Sequence, residues 1–169
     1  MNKIFIVGIV ASGKTTLAKC LSEQLGLPWY ELDCLVHYQT AEGRRKRTPA
    51  ELAEVIKGID RTGQWIFEGT DRGSYQFLYD MADTIIFLDP PLWKRRVRIF
   101  TRFLKQVLRL EKSHYKPDLQ MLKMMYRWTS DFENKRNDFE QKLGCFKHKL
   151  IRLTDRTKLA LEKSNGVNQ

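Results

Sequence analysis

The stretch MNKIFIVGIVASGKTTLAKCL, residues 1–21, decides the fold. KIFIV at 3–7 is a short apolar run of buried-strand composition. Small residues follow it, then a lysine and two threonines in GIVASGKTT at 8–16. Leu17, Ala18, Leu21 and Leu25 then recur at helical spacing. Gly8-x-x-x-x-Gly13-Lys14-Thr15 matches the P-loop pattern in full, with a strand before it and a helix after it. Glycines let backbone N–H groups turn inward around phosphate oxygens, and the helix start adds its positive end. Gly8, Ala11, Ser12, Gly13, Lys14, Thr15 and Thr16 are therefore expected to cradle the phosphates of a bound nucleotide. Lys14 would reach the β- and γ-phosphates and the Thr15 hydroxyl would ligate Mg²⁺.

Outward from this loop, Gly26 suits a helix C-cap and Pro28 stops any continuation. PWYELD at 28–33 reads as a second strand, and 34–48 as a polar, basic connection containing GRRKR. Thr48-Pro49-Ala50-Glu51 carries three agreeing signals of a helix start, a cap, a first-turn proline and a capping box, and that helix runs to about residue 61. QWIFEG at 64–69 and TIIFLD at 84–89 are the third and fourth strands. Pro90 and Pro91 precede a long helix to about residue 111, and a second basic helix covers about 118–142. HKLIRL at 148–153 is the fifth strand, followed by a short C-terminal helix. Apolar strands alternating with helices favour a parallel sheet covered on both faces. The expectation is one α/β domain over 1–169: a three-layer P-loop fold with a five-stranded parallel sheet, a short acceptor-side insert at 34–48 and a basic helical lid at about 92–143.

The 169 residues carry a net charge of +10, distributed unevenly. Residues 1–91 sum to −2 and residues 92–152 to +11, which points to a polyanionic partner: nucleotide phosphates, nucleic acid or both. Cys20, Cys34 and Cys145 are an odd number without paired spacing, as expected of reduced thiols in the cytoplasm. The N-terminal apolar run is short and meets Gly13-Lys14 directly, so it reads as a strand rather than a signal peptide. No stretch approaches the roughly 18 apolar residues of a span, and no membrane partner is expected. Trp128, Phe132 and Phe139 fall near one helical stripe and are expected in the core.

The P-loop, the strand and helix order and the downstream motifs resemble the nucleoside-monophosphate kinase group, adenylate kinase in particular. Closer still, they resemble the small bacterial adenylate kinase-related proteins labelled DNA topology modulation proteins. Glu31-Leu32-Asp33, Trp65-Ile66-Phe67-Glu68-Gly69 and Asp83-Thr84-Ile85-Ile86-Phe87-Leu88-Asp89 carry this resemblance beside Gly13-Lys14-Thr15-Thr16. Glu68-Gly69-Thr70-Asp71-Arg72 stands where those kinases have Asp-Gly-Phe-Pro-Arg. The resemblance implies metal support from Glu68, or from Asp71 since Thr-Asp replaces Phe-Pro, and an acceptor-phosphate grip by Arg72. It also implies nucleotide contacts by Arg98 and Arg102, which follow Asp89 by nine and thirteen residues and share a helix face. Asp33, ending strand two, is expected to be an acceptor-side or catalytic carboxylate. Arg44, within the basic run 44–47, lies where the family places its acceptor insert.

The expected activity is transfer of the γ-phosphate of ATP, with Mg²⁺, to a nucleotide or similar small acceptor, by a monomer or dimer. The alternatives are a nucleotide-dependent nucleic-acid-binding or regulatory protein, as the DNA topology modulation label suggests, and a plain ATPase.

Overall fold

The computed structural model describes residues 1–41, 43–108 and 119–154. The elements are β1 (Lys3–Val7), α1 (Lys14–Leu25), β2 (Trp29–Glu31), α2 (Leu32–Val36), β3 (His37–Thr40), β4 (Gly43–Lys46), α3 (Pro49–Asp60), β5 (Trp65–Gly69), α4 (Leu78–Met81), β6 (Thr84–Leu88), α5 (Leu92–Val107), α6 (Leu119–Asn134), α7 (Arg136–Gly144) and β7 (Leu150–Leu153). Five strands form one parallel sheet in the order β2-β5-β1-β6-β7.

Alternation along β1 explains the layers. Phe5 and Val7 enter one core, with Leu52 and Ile56 of α3, Leu78 of α4 and Leu143 of α7. Ile4 and Ile6 face the other way, against Leu17, Ala18 and Leu21 of α1. All four of these β1 residues are fully buried, as expected for a central parallel strand covered on both faces. Trp65 is the largest fully buried side chain, and its indole N–H donates to Asp60 at 2.8 Å.

Local signals in the sequence set several boundaries. Thr48 and Glu51 form the capping box reciprocally: the Glu51 N–H donates to Thr48 Oγ1 at 3.2 Å and the Thr48 N–H to Glu51 Oε2 at 2.7 Å. Gly26 closes α1 at a φ of 67°.

Three expectations change. The second strand stops at Glu31 and the chain turns at once into α2, so Asp33 sits in a first helical turn rather than on a strand. The 34–48 connection is ordered as the end of α2 and an antiparallel hairpin, β3 against β4, with Tyr38 opposite Arg45. The basic helix at 118–142 is two helices that break at Lys135; Phe139 is buried in the core and Phe132 packs against it, but Trp128 is exposed. The three cysteines are unpaired and exposed. The short C-terminal helix expected after residue 153 lies outside the described residues.

Candidate active site

β1, β2, β5 and β6 end on the same edge of the sheet, the edge where open α/β folds bind ligands. The loop after β1 lies at the centre of that edge. Gly13 takes a φ of 102° and Ala11 a φ of 58°, and these left-handed residues wind the loop into the first turn of α1. Gly8 is required for a different reason. A Cβ there would lie 2.6 Å from the Leu88 carbonyl oxygen and 2.9 Å from Ser12 Oγ. Because the first obstacle is backbone, Gly8→Ala is expected to destabilise the fold by about 1–3 kcal/mol and to weaken nucleotide binding, both readable by denaturant titration with and without ATP.

Lys14 is buried, and its ammonium donates to the Ile9 carbonyl at 3.0 Å across the loop. Burial pushes its pKa below the ordinary 10.5, while Glu68, Asp33 and Glu31 pull it back up and Arg102 lowers it. Thr15 donates its hydroxyl to Glu68 Oε1 at 2.6 Å. Thr16 is exposed in the first turn of α1. Ser12 Oγ is buried with no hydrogen-bond partner, an orphan polar atom inside the loop and the kind of group a ligand satisfies.

The sheet register shows why Glu68 meets Thr15. Trp65 and Phe67 point into the α3-side core, so alternation sends Ile66 and Glu68 to the α1 side. Glu31 is the direct neighbour of Glu68 in the parallel pairing, and Trp29, two residues back, packs with the α1-side core. Glu31 therefore joins Glu68 and Thr15 on one face. Glu31 is thus a further candidate site residue, one to which the motif spacing gives no role. The signal available for it was the Glu-x-Asp spacing at the end of an apolar strand.

Asp33 lies across from the loop and pairs with Arg72 at 3.0 Å, with both side chains about half exposed. Asp71 is engaged elsewhere: Lys142 at 2.6 Å and the Tyr79 hydroxyl at 2.9 Å both donate to its Oδ1. Burial of the Tyr79 phenol, reinforced by Asp71, holds it protonated well above the ordinary tyrosine range. Arg98 donates to the Ser12 carbonyl at 2.7 Å and so rests on the rim of the P-loop. Arg102, one turn further along α5, is half-buried and near enough to Lys14 to lower its pKa. Arg44 falls in β4 opposite Gln39.

Behind Arg98 stands an ion network. Arg136 grips Asp89 bidentately at 2.9 and 3.0 Å, Arg152 adds a contact at 2.6 Å, and Glu140 and Glu133 close the array, the latter also bound by the fully buried Arg95. Three of the 17 basic residues of 92–152, Arg95, Arg136 and Arg152, are thus paired with Glu133, Asp89 and Glu140.

The donor set fits Mg²⁺ held jointly with a nucleotide. Among the described residues no three His, Cys, Asp or Glu side chains are grouped to hold a metal alone. Mg²⁺ is usually bound through one or two carboxylates plus substrate phosphates, and Thr15, Glu68 and Glu31 supply that kind of partial shell.

Burial raises the Glu68 pKa above the ordinary 4.5, against the pull of Lys14 and Thr15. A carboxyl with a raised folded-state pKa holds its proton more tightly folded than unfolded. Its ionisation therefore costs stability as pH rises through the folded value, and the whole cost is present above it. Glu68→Gln is expected to lower turnover about 10²-fold yet match or exceed the wild type in thermal stability at neutral pH, with the gap closing below pH 4.5. Melting curves and turnover at several pH values check this.

No family model and no curated protein matches the sequence. Solved structures do match in fold. The chain superposes on shikimate kinase from Acinetobacter baumannii in complex with shikimate with a TM-score of 0.55 at 15% identity, covering 99% of this chain and 96% of that one. It superposes on deoxyadenosine kinase from M. mycoides with bound dATP with a TM-score of 0.52 at 15% identity, covering 97% and 100%. A gluconokinase from Sinorhizobium meliloti gives 0.51 at 15% identity, covering 90% and 81%. The protein has the α/β fold of the P-loop kinases, with its five-stranded parallel sheet between helical layers. None of these three neighbours is a DNA topology modulation protein.

Proposed function

We propose that this protein is an ATP-dependent phosphotransferase that uses Mg²⁺ and acts on a small acceptor, a nucleotide or similar compound. One observation carries the reading: the Thr15–Glu68 hydrogen bond of 2.6 Å lies beside a buried P-loop lysine whose loop is overlaid by Arg98. That combination supports a reading in which a metal ligand, a phosphate-binding ammonium and an arginine clamp serve one bound nucleotide.

In this reading the P-loop amides and Lys14 hold the β- and γ-phosphates. Thr15, with Glu68 and Glu31 behind it, would hold Mg²⁺, which would supply charge neutralisation at the phosphate oxygens. Asp71 is left out of the metal shell in this reading because Lys142, Tyr79 and Gln76 all donate to its Oδ1. Arg98 exchanges its carbonyl partners for γ-phosphoryl oxygens, and Arg102 joins it from the same helix face. The acceptor oxygen attacks the γ-phosphorus as the bond to the β-phosphate oxygen breaks, giving ADP. When the acceptor is a hydroxyl, its proton passes to Asp33, and Arg72, now paired with Asp33, turns to an anionic group of the acceptor. Arg44, in β4 of the hairpin that follows α2, is assigned to the acceptor side in this reading. No covalent enzyme intermediate is required, since positioning and charge stabilisation account for the catalysis.

The nucleic-acid reading rests on the charge of the +11 segment alone, and three of its 17 basic residues, Arg95, Arg136 and Arg152, are spent on Glu133, Asp89 and Glu140. Plain ATP hydrolysis is an outcome of the same test. Purified protein with ATP and Mg²⁺ is offered a panel of nucleoside monophosphates, nucleosides, sugars and small hydroxy acids, and ADP is measured. The proposal expects at least one compound to raise ADP production well above the water background; uniform background rates across the panel would defeat it.

A further inference from the structure

We propose that α5 docks this protein on an anionic lipid surface, lying in the headgroup plane with its outward apolar stripe in the lipid. The helix has inverted amphipathicity. Its inward face carries Arg95, Arg98, Arg102 and Gln106, with Ile99 as the one fully buried aliphatic residue and Leu92 and Phe103 half-buried beside it. Its outward face carries Trp93, Val97, Phe100, Leu104, Val107 and Leu108, between 41% and 64% exposed. Trp93, Val97, Phe100, Leu104 and Val107 recur at four- and three-residue steps, with Leu108 at the C-cap, and form one stripe along a helix of 16 residues, roughly 24 Å long. The stripe cannot be rotated inward without removing Arg98 from the P-loop carbonyls and Arg95 from Glu133. A contiguous apolar face of this kind on an otherwise polar protein marks a binding surface.

Charge identifies the occupant. α5 contains six Lys and Arg residues and no Asp or Glu. Lys94 and Lys105 border the stripe on one side and exposed Arg96 on the other, with the Lys94 ammonium 5.6 Å from the centre of the Trp93 ring. A second copy packed antiparallel on this face would bring like flanks together and set Lys94 beside Lys105 with no acidic residue of α5 to separate them, which opposes association. Nucleic acid would satisfy the charges but leave the stripe in water. A bilayer with anionic headgroups meets both, burying the apolar residues to the acyl boundary while phosphates and carboxylates pair with the flanks, and an indole suits that interface. The sequence-level expectation of no membrane partner rested on the lack of a spanning segment. No helix among the described residues is long and apolar enough to cross a membrane, and a helix lying in the interface needs no span.

Full-length protein is mixed with vesicles of phosphatidylcholine alone or of phosphatidylcholine with phosphatidylglycerol, without nucleotide, and bound protein is measured by flotation. Binding to the anionic vesicles only, released by salt, is expected. Phe100→Glu with Leu104→Glu should abolish it. Arg96→Gln with Lys105→Gln, which leaves the stripe intact, should weaken it roughly tenfold or more. Both double variants should keep the far-ultraviolet circular dichroism and the ATP turnover of the wild type, so failure here is separable from failure of the kinase reading. Absence of vesicle binding, equal binding to neutral vesicles, or a flotation profile unchanged by Phe100→Glu with Leu104→Glu would overturn the proposal. So would a dimer in solution that the same pair of substitutions dissociates, since a second copy would then own the stripe.

Discussion

Lys14→Met is expected to lower phosphoryl transfer by on the order of 10³-fold while leaving the protein folded. The side chain is buried at the centre of the loop, and its one hydrogen bond is to the Ile9 carbonyl. Methionine is of similar length and keeps the apolar stem packed, so the substitution removes charge rather than volume. A 10³-fold loss corresponds to about 4 kcal/mol of transition-state stabilisation, the scale of one preorganised cation acting in a dry site. Stability should hold or rise, because burial already disfavours the ammonium and lowers its pKa. The same shift sets a pH signature. Wild-type activity that depends on the ammonium should begin to fall on the alkaline side before pH 10.5, and Lys14→Met should lack that limb. Steady-state turnover across pH, beside melting curves of both proteins, reads all three expectations.

Asp89→Asn is expected to give the largest loss of stability, about 2–3 kcal/mol. Burial alone would push the Asp89 carboxyl up, but hydrogen bonds from Arg136 and Arg152 outweigh it and hold its pKa below 3.8. A carboxylate with a depressed folded-state pKa contributes stability above its unfolded value and loses it as pH falls through the folded one. The asparagine variant should therefore lie below the wild type at neutral pH, with the gap narrowing as pH is lowered past 3.8. Breaking a fully buried pair costs about 3–5 kcal/mol; the smaller figure allows for Arg152 and Arg136, whose side chains are 47% and 24% exposed. For a chain of this size the effect corresponds to a drop of roughly 5–10 °C in Tm. Nucleotide affinity should change less than stability, because the ion pairs run from Asp89 to α7 and β7, and the network meets the P-loop through α5 and the Leu88 backbone rather than through the Asp89 carboxylate. Calorimetry and ATP titration of the same samples separate the two.

The legible parts of this protein are the local ones. The P-loop is nine consecutive residues, and its strand and helix follow from composition on either side. The capping box at Thr48 and the left-handed glycine at 26 are also local devices, and the structure uses both as the sequence predicts. What the sequence hid depends on distant pairing. Asp89 finds Arg136 and Arg152 at separations of 47 and 63 residues, and no spacing rule links them. Glu31 acquires its place only through its register with Glu68. The early turn of α2 after Glu31 overrode an apparent strand at PWYELD, and a hairpin formed from a run that looked like solvated loop, since Tyr38 packs beneath the Arg47 guanidinium at 4.6 Å. The α5 residues were readable as basic, but which face of that helix points inward is a tertiary fact.

The central claim is that the loop of residues 8–16 is the donor half of a transferase. The most direct measurement follows the γ-phosphoryl group itself, with ATP labelled at that phosphate, Mg²⁺, and the acceptor that most raises ADP production. The account predicts label on the acceptor in equal amount to ADP formed, with both lost together in Lys14→Met. Label recovered only as inorganic phosphate, or transfer that survives Lys14→Met, would contradict it.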